Sequence, residues 1–70
     1  MQVSLVVVPG KGQTFETLAE GTTLSAFAAS KNLDDRTFTV NGVSVPADQW
    51  SSTILEAGDD IFATKSVKGA

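Results

Sequence analysis

The sequence predicts an α+β fold, a mixed sheet of four to five strands packed on one main helix. Three observations predict it. Two hairpin signals, Pro9-Gly10-Lys11-Gly12 and Asn41-Gly42, stand far apart in the chain. Between them lies a single segment with helical spacing, Leu24 to Lys31. A last apolar strand, launched by Gly58-Asp59-Asp60, then arrives by a crossover. A closed barrel has no use for such a helix.

The elements follow in order. From Gln2 to Val8, Val3, Leu5 and Val7 alternate with Gln2, Ser4 and Val6, and β-branched residues at that spacing make a strand that is apolar on at least one side. Pro9 and the two glycines near it supply a tight reversal. Gln13 to Leu18 fits the return strand, but Phe15 and Leu18 have opposite parity, which requires either a bulge or an early strand end. Thr22 or Thr23 is a good N-cap, since a hydroxyl there can accept from an amide of the first turn. Leu24, Phe27 and Ala28 form the apolar stripe of the helix. Lys31-Asn32 ends it, with a cation at the negative pole and an Asn able to take a left-handed cap; Leu33 then folds back onto the helix. Thr37-Phe38-Thr39-Val40 and Val43-Ser44-Val45 flank the Asn41-Gly42 turn as a hairpin. Pro46 to Trp50 suits a single helical turn with proline in its first position. Ser51 to Ala57 crosses to the final strand, with Ile54 and Leu55 anchoring the crossing.

Two hairpins flanking a helix, with the last strand placed parallel to the first in the middle of the sheet, is the β-grasp (ubiquitin-like) order. The expected core is Val3, Leu5, Leu24, Phe27, Phe38, Ile54, Leu55 and Ile61. Trp50 reads as a cap on one end of that core, and a half-exposed indole there would also suit an interface.

Size and composition narrow the function. Seventy residues make one domain, 1–70, with a flexible tail from about residue 66. At this size only about 60% of the unfolded chain's surface is buried on folding, so modest stability is expected. The chain has no Cys, His or Tyr. It therefore lacks a thiol nucleophile, a thiolate metal site, a Ser-His arrangement and any side chain that titrates near neutrality when unperturbed. An enzyme in its own right is not expected, nor is a cofactor or a metal. A net charge of −3 argues against nucleic acid, whose phosphates demand a clustered basic footprint. No apolar run approaches the roughly 20 residues of a membrane span. The first strand lacks the basic leader and cleavage site of a signal peptide, so a cytoplasmic location is the expectation.

Three constellations have an ordinary reading. Pro9-Gly10-Lys11-Gly12 lacks the rest of a phosphate-binding loop and leads into no helix, so it reads as a hairpin turn. Asp59 and Asp60, with Asp48 and Glu56, lack ligand spacing and read as solvated turn carboxylates. In the last strand Phe62, Thr64 and Ser66 alternate with Ile61, Ala63, Lys65 and Val67. With Ile61 inward, Phe62 lies on an open face, where a large aromatic points to a partner.

Two blocks carry a family resemblance. Val40-Asn41-Gly42-Val43-Ser44-Val45-Pro46-Ala47-Asp48-Gln49-Trp50 resembles the strand, tight turn, short strand, proline and aromatic of the ThiS/MoaD-type sulfur carriers. Gly58-Asp59-Asp60-Ile61 through Gly69-Ala70 is similar to their closing segment, and Gly21-Thr22-Thr23-Leu24 fits their helix start. The thiamine-type branch is the most similar. The resemblance implies a small protein, monomeric when free, that docks on a protein partner such as an E1-like adenylyltransferase. It implies Gly69 and Ala70 as the carrier tail, whose carboxylate would be adenylated and converted to a thiocarboxylate. It places partner docking on Phe62, Thr64, Lys65, Val67 and Lys68.

Ala70 stands where the family has its last glycine, and Lys68 where it has small residues. The added methyl sits beside the reacting carbon, where a misplacement of about 1 Å can cost on the order of a hundredfold in rate. The alternative is a β-grasp interaction or assembly module, viral or structural for example, without the tail chemistry.

Overall fold

A computed structural model gives the structure of residues 1–10 and 12–65. Val67, Lys68, Gly69 and Ala70, and with them the expected tail, lie outside these described residues. The chain forms β1 (Gln2–Val8), β2 (Gly12–Thr17), α1 (Leu24–Ser30), β3 (Arg36–Val40), β4 (Val43–Val45), a 3-10 helix (Ala47–Ser52) and β5 (Asp60–Lys65). The five strands make one mixed sheet in the order β2-β1-β5-β3-β4. β5 runs parallel to β1, with Leu5 beside Ile61, and antiparallel to β3, with Phe38 beside Ala63. Among the described residues the fold is thus a small α+β domain with one α-helix on a mixed sheet.

The first hairpin settles the parity conflict of Phe15 and Leu18. β1 and β2 pair without a bulge, from Gln2 opposite Thr17 to Val7 opposite Gly12. The strand ends at Thr17, and Leu18 lies beyond it, packed against the core. Phe15, opposite Ser4, is therefore on the face away from the core. The turn at Gly10 is tight, because a Cβ there would stand 2.7 Å from the Val7 carbonyl oxygen.

Thr23 is the N-cap of α1, its hydroxyl accepting from the Ala26 N–H at 3.1 Å, while the Thr22 hydroxyl donates to the Ala19 carbonyl. Asn32 takes the left-handed cap with φ 57°, and Leu33 folds back, its N–H donating to the Ala28 carbonyl at 2.8 Å. The Asn41-Gly42 turn has φ 53° and 82°, the two positive values a two-residue hairpin requires. Pro46 is the N-cap of the 3-10 helix rather than its first residue, with extended backbone at ψ 150°.

Val3, Leu5, Leu24, Phe27, Phe38, Leu55 and Ile61 are buried together with Ala28, Leu33, Trp50 and Ala63. Ile54 departs from the expected core and is 60% exposed. The crossing segment is extended there. Thr53 accepts from the Leu24 N–H, and the Leu55 N–H donates to the Thr22 carbonyl, so Thr23 and Ile54 form an isolated bridge. Neighbouring side chains of extended backbone point opposite ways, and Leu55 takes the inward place.

Trp50 is only 8% exposed, so it belongs to the core and not to an interface. Its ring meets Phe38 edge-to-face, with centroids 5.1 Å apart, and its Nε1–H donates to the Val45 carbonyl at 3.0 Å. That contact seals the end of the core under β4. On the other side of the sheet edge, the Glu16 carboxylate pairs with the Lys31 ammonium at the end of α1. Hydrogen bonding to Lys31 lowers the Glu16 pKa, against a smaller opposing effect of burial and with help from the Thr14 hydroxyl.

Truncating Trp50 to Ala is expected to cost about 3–5 kcal/mol, a large share of the stability of so small a domain. Trp50→Phe, which keeps most of the ring but leaves the Val45 carbonyl without this donor, should cost about 1–3 kcal/mol. Both are read from urea unfolding followed by circular dichroism. For Glu16 the sign follows from its lowered pKa in the fold. Its contribution is present above the unfolded-state pKa of about 4.3 and is lost as pH falls through the folded value. Because the pair is only partly buried, Glu16→Gln should cost at most about 0.5 kcal/mol at pH 7 and less at pH 2; equal losses at both pH values would show that the charge is irrelevant.

Candidate surface site on the open sheet face

Strand parity divides the sheet into two faces. Val3, Leu5, Phe38, Ile61 and Ala63 point to α1 and the 3-10 helix, and the alternate residues point away, where no element covers them among the described residues. On this open face Val6 lies beside Phe62, and Phe62 beside Thr39. Val8 lies beside Thr64, and Thr64 beside Thr37. Phe15, one strand further out, sits beside Ser4 and diagonally from Val6.

The result is an apolar centre with a hydroxyl-rich flank. Phe62 is 43% exposed, Phe15 64% and Val8 48%, while Val6 is half-buried between them. Exposed large apolar residues scattered singly are ordinary, but Phe62, Phe15 and Val8 share one face around the half-buried Val6. Among the described residues its one charged member is Asp60, whose carboxylate accepts from the Ser4 hydroxyl at 2.8 Å at one end.

The register of β5 puts Phe62 there, and a small polar network holds that register. The Asn41 side chain bridges the β3–β4 turn to the start of β5, its Nδ2–H donating to Asp59 and its Oδ1 accepting from the Asp60 N–H, both at 2.9 Å. The other Asp59 carboxylate oxygen accepts from the Glu56 N–H at 2.8 Å. The Asp59 carbonyl accepts from the Ser4 N–H, so β1, β5 and the β3–β4 turn meet here. The Gly58-Asp59-Asp60 acidic turn is thus a structural clamp, and among the described residues no group of acidic side chains has the arrangement of a metal site.

The sequence-derived docking residues separate on this frame. Phe62 and Thr64 lie on the open face. Lys65 has the opposite parity and pairs in register with Arg36 at the far end of the sheet. Arg36 also donates to the Val8 carbonyl at 3.3 Å and approaches Asp35 at 3.9 Å, so its guanidinium stands at the end of the sheet beside Val8. Val67, Lys68, Gly69 and Ala70 lie outside the described residues. Phe15, Val6 and Val8 were not singled out from sequence. The signal was the alternation Gln13, Phe15, Thr17, which becomes readable once the hairpin register places Phe15 opposite Ser4.

Among the described residues no pocket is present and no helix is long and apolar enough to cross a membrane. No family model and no curated protein matches this chain.

Asn41→Ala removes two side-chain hydrogen bonds and puts at φ 53° a residue less tolerant of left-handed backbone than asparagine, and should cost about 2 kcal/mol. Asn41→Gly, which relieves the backbone but not the hydrogen bonds, should cost about half of that. Urea midpoints of the two variants check the ordering; an Asn41→Ala variant as stable as the native chain would remove the clamp from the account.

Proposed function

We propose that this protein is a β-grasp docking module of the ThiS/MoaD kind, which binds a protein partner through the open face of its sheet. The exposed Phe62, set in the patch with Phe15, Val6 and Val8, is the observation that carries this reading. Element order supports the fold type. Hairpin, helix and hairpin are followed by a strand inserted between β1 and β3, parallel to the first.

The physical logic is that of a central hot spot. An aromatic side chain on a rigid middle strand needs little ordering on binding, and burying it gives more than a flexible loop residue would. The threonine flank adds polar atoms at the rim, and Arg36 beside Val8 favours an acidic surface next to the patch. An E1-like adenylyltransferase is the partner class that the resemblance suggests.

The carrier step belongs to the same proposal as its second stage. A carboxylate at Gly69-Ala70 would attack ATP to form an acyl-adenylate with loss of pyrophosphate. A sulfur donor would then displace AMP to leave a thiocarboxylate. The domain itself supplies reach and a docking face, and no acid, base or nucleophilic side chain is required of it. Ala70 favours the alternative, a module that docks without this chemistry.

Two measurements on the full chain test the stages separately. Binding to an E1-like adenylyltransferase, followed by titration calorimetry, is expected to weaken at least tenfold in Phe62→Lys, with urea stability nearly unchanged. Intact mass after incubation with that enzyme, ATP and a sulfur donor reads oxygen-for-sulfur exchange at the tail. Exchange in the native chain, lost on deleting Ala70, supports the carrier. Binding without exchange, with exchange gained in Ala70→Gly, supports the module that only docks. Absence of binding by the native chain would overturn the choice of partner, and equal binding by Phe62→Lys would overturn the docking face.

A further inference from the structure

The two outer strands of the sheet are unlike. β4 is three residues long, is followed directly by Pro46, and offers only Ser44 at its outer edge. Short edges and proline are the usual means of blocking strand addition. β2 is six residues long, and every residue but Glu16 is exposed. Met1 and Leu18 exchange both of their hydrogen bonds, the Leu18 N–H to the Met1 carbonyl at 2.7 Å and the Met1 amine to the Leu18 carbonyl at 2.8 Å. From that pair the antiparallel alternation runs on, so Glu16 and Thr14 bond inward to β1. The N–H and C=O of Gln13, Phe15 and Thr17 therefore point away from the sheet.

Nothing in β2 guards this edge. It contains no proline and no lysine. Its single charge, Glu16, is neutralised by Lys31 of the same chain on the helix side. Six residues of extended backbone with outward polar groups form a template for another strand.

We infer that this edge pairs with the same strand of a second copy, antiparallel about a two-fold axis through Phe15, to give a continuous ten-stranded sheet. The sequence of β2 is self-complementary in that register. Phe15 opposes Phe15 of the second copy on the open face, and Gln13 opposes Thr17. On the helix side Thr14 opposes Glu16, and within one chain the Thr14 hydroxyl already donates to that carboxylate at 3.1 Å. A shift of two residues in one direction sets the two Glu16 side chains opposite each other and exchanges the aromatic pair for Phe15 against Thr17. A shift in the other direction exchanges the aromatic pair for Phe15 against Gln13. The aromatic pair thus selects the register, and the match of the strand to itself selects a second copy. Pairing of one short strand buries less than a standard interface, so the chain is a monomer when dilute and a dimer when concentrated.

The test uses the native chain in sedimentation equilibrium from about 10 µM to about 1 mM, the range of a small interface. Expected is a shift from monomer to dimer mass. In the concentrated sample, amide exchange at Gln13, Phe15 and Thr17 should slow, with Ser44 unchanged. Phe15→Lys places two cations opposite each other at an exposed position, and Thr17→Pro removes an outward N–H that makes no bond inside the domain. Each should weaken self-association at least tenfold, while Phe62→Lys leaves it intact and so separates this edge from the docking face. Monomer mass at every concentration overturns the inference. So does a dimer that survives both β2 variants, slowing at Ser44 in place of β2, or β2 protection that arises only when a different protein is added.

Discussion

The position of β5 between β1 and β3 is the constraint on which the rest of the structure depends. Every other strand has a hairpin neighbour and could find it locally, whereas β5 is placed only by two non-local pairings. Side chains alternate along a strand with a period of two, so a slip of one residue would expose Ile61 and Ala63 and bury Phe62 and Thr64. The core thus sets the register, and the register sets the face. Ala63 shows how tight the demand is, for it is fully buried at the sheet centre beside Phe38, where the aromatic ring fills the space. The polar clamp around Asn41, Asp59 and Asp60 adds a local stop at the start of the strand, so packing and hydrogen bonding select one arrangement.

Much of this fold was legible in the chain. Thr23, Asn32, the Asn41-Gly42 turn and the alternating strands behave as local chemistry dictates, because each rests on backbone preferences that neighbours a few residues away decide. What sequence did not decide was orientation in the irregular crossing from Ser51 to Ala57. Ile54 and Leu55 are adjacent and equally apolar, and only the hydrogen bonds from that segment to Thr22 and Leu24 determine which turns inward. The same holds for Phe15, whose face follows from a hairpin register that two glycines and a proline do not specify by themselves. On the candidate site, the outward direction of Phe62 followed from alternation, and the rest of the patch required the pairing of three strands. Lys65 is the counterpart, close to Phe62 in sequence but on the other side of the sheet by parity.

Charge and apolar surface are segregated in this domain. Among the described residues the open face carries one carboxylate, at its end, and the cations lie elsewhere, with Lys31 engaged by Glu16, Lys65 on the helix side and Arg36 at the end of the sheet. A surface of that kind meets a partner with little desolvation of charge at its centre, while rim charges act on encounter rates and orientation. The division also separates two kinds of contact in space. The centre of the sheet offers side chains, whereas the outer strand β2 offers outward backbone groups together with the Phe15 side chain.

The burial of Trp50 has an optical consequence. With no tyrosine in the chain, the near-ultraviolet absorbance and emission of this protein come almost wholly from one indole. That ring lies on the helix side against Phe38, with the sheet between it and the open face. Its light therefore reports the integrity of the interior, and a molecule seated on Phe62 would leave the spectrum silent.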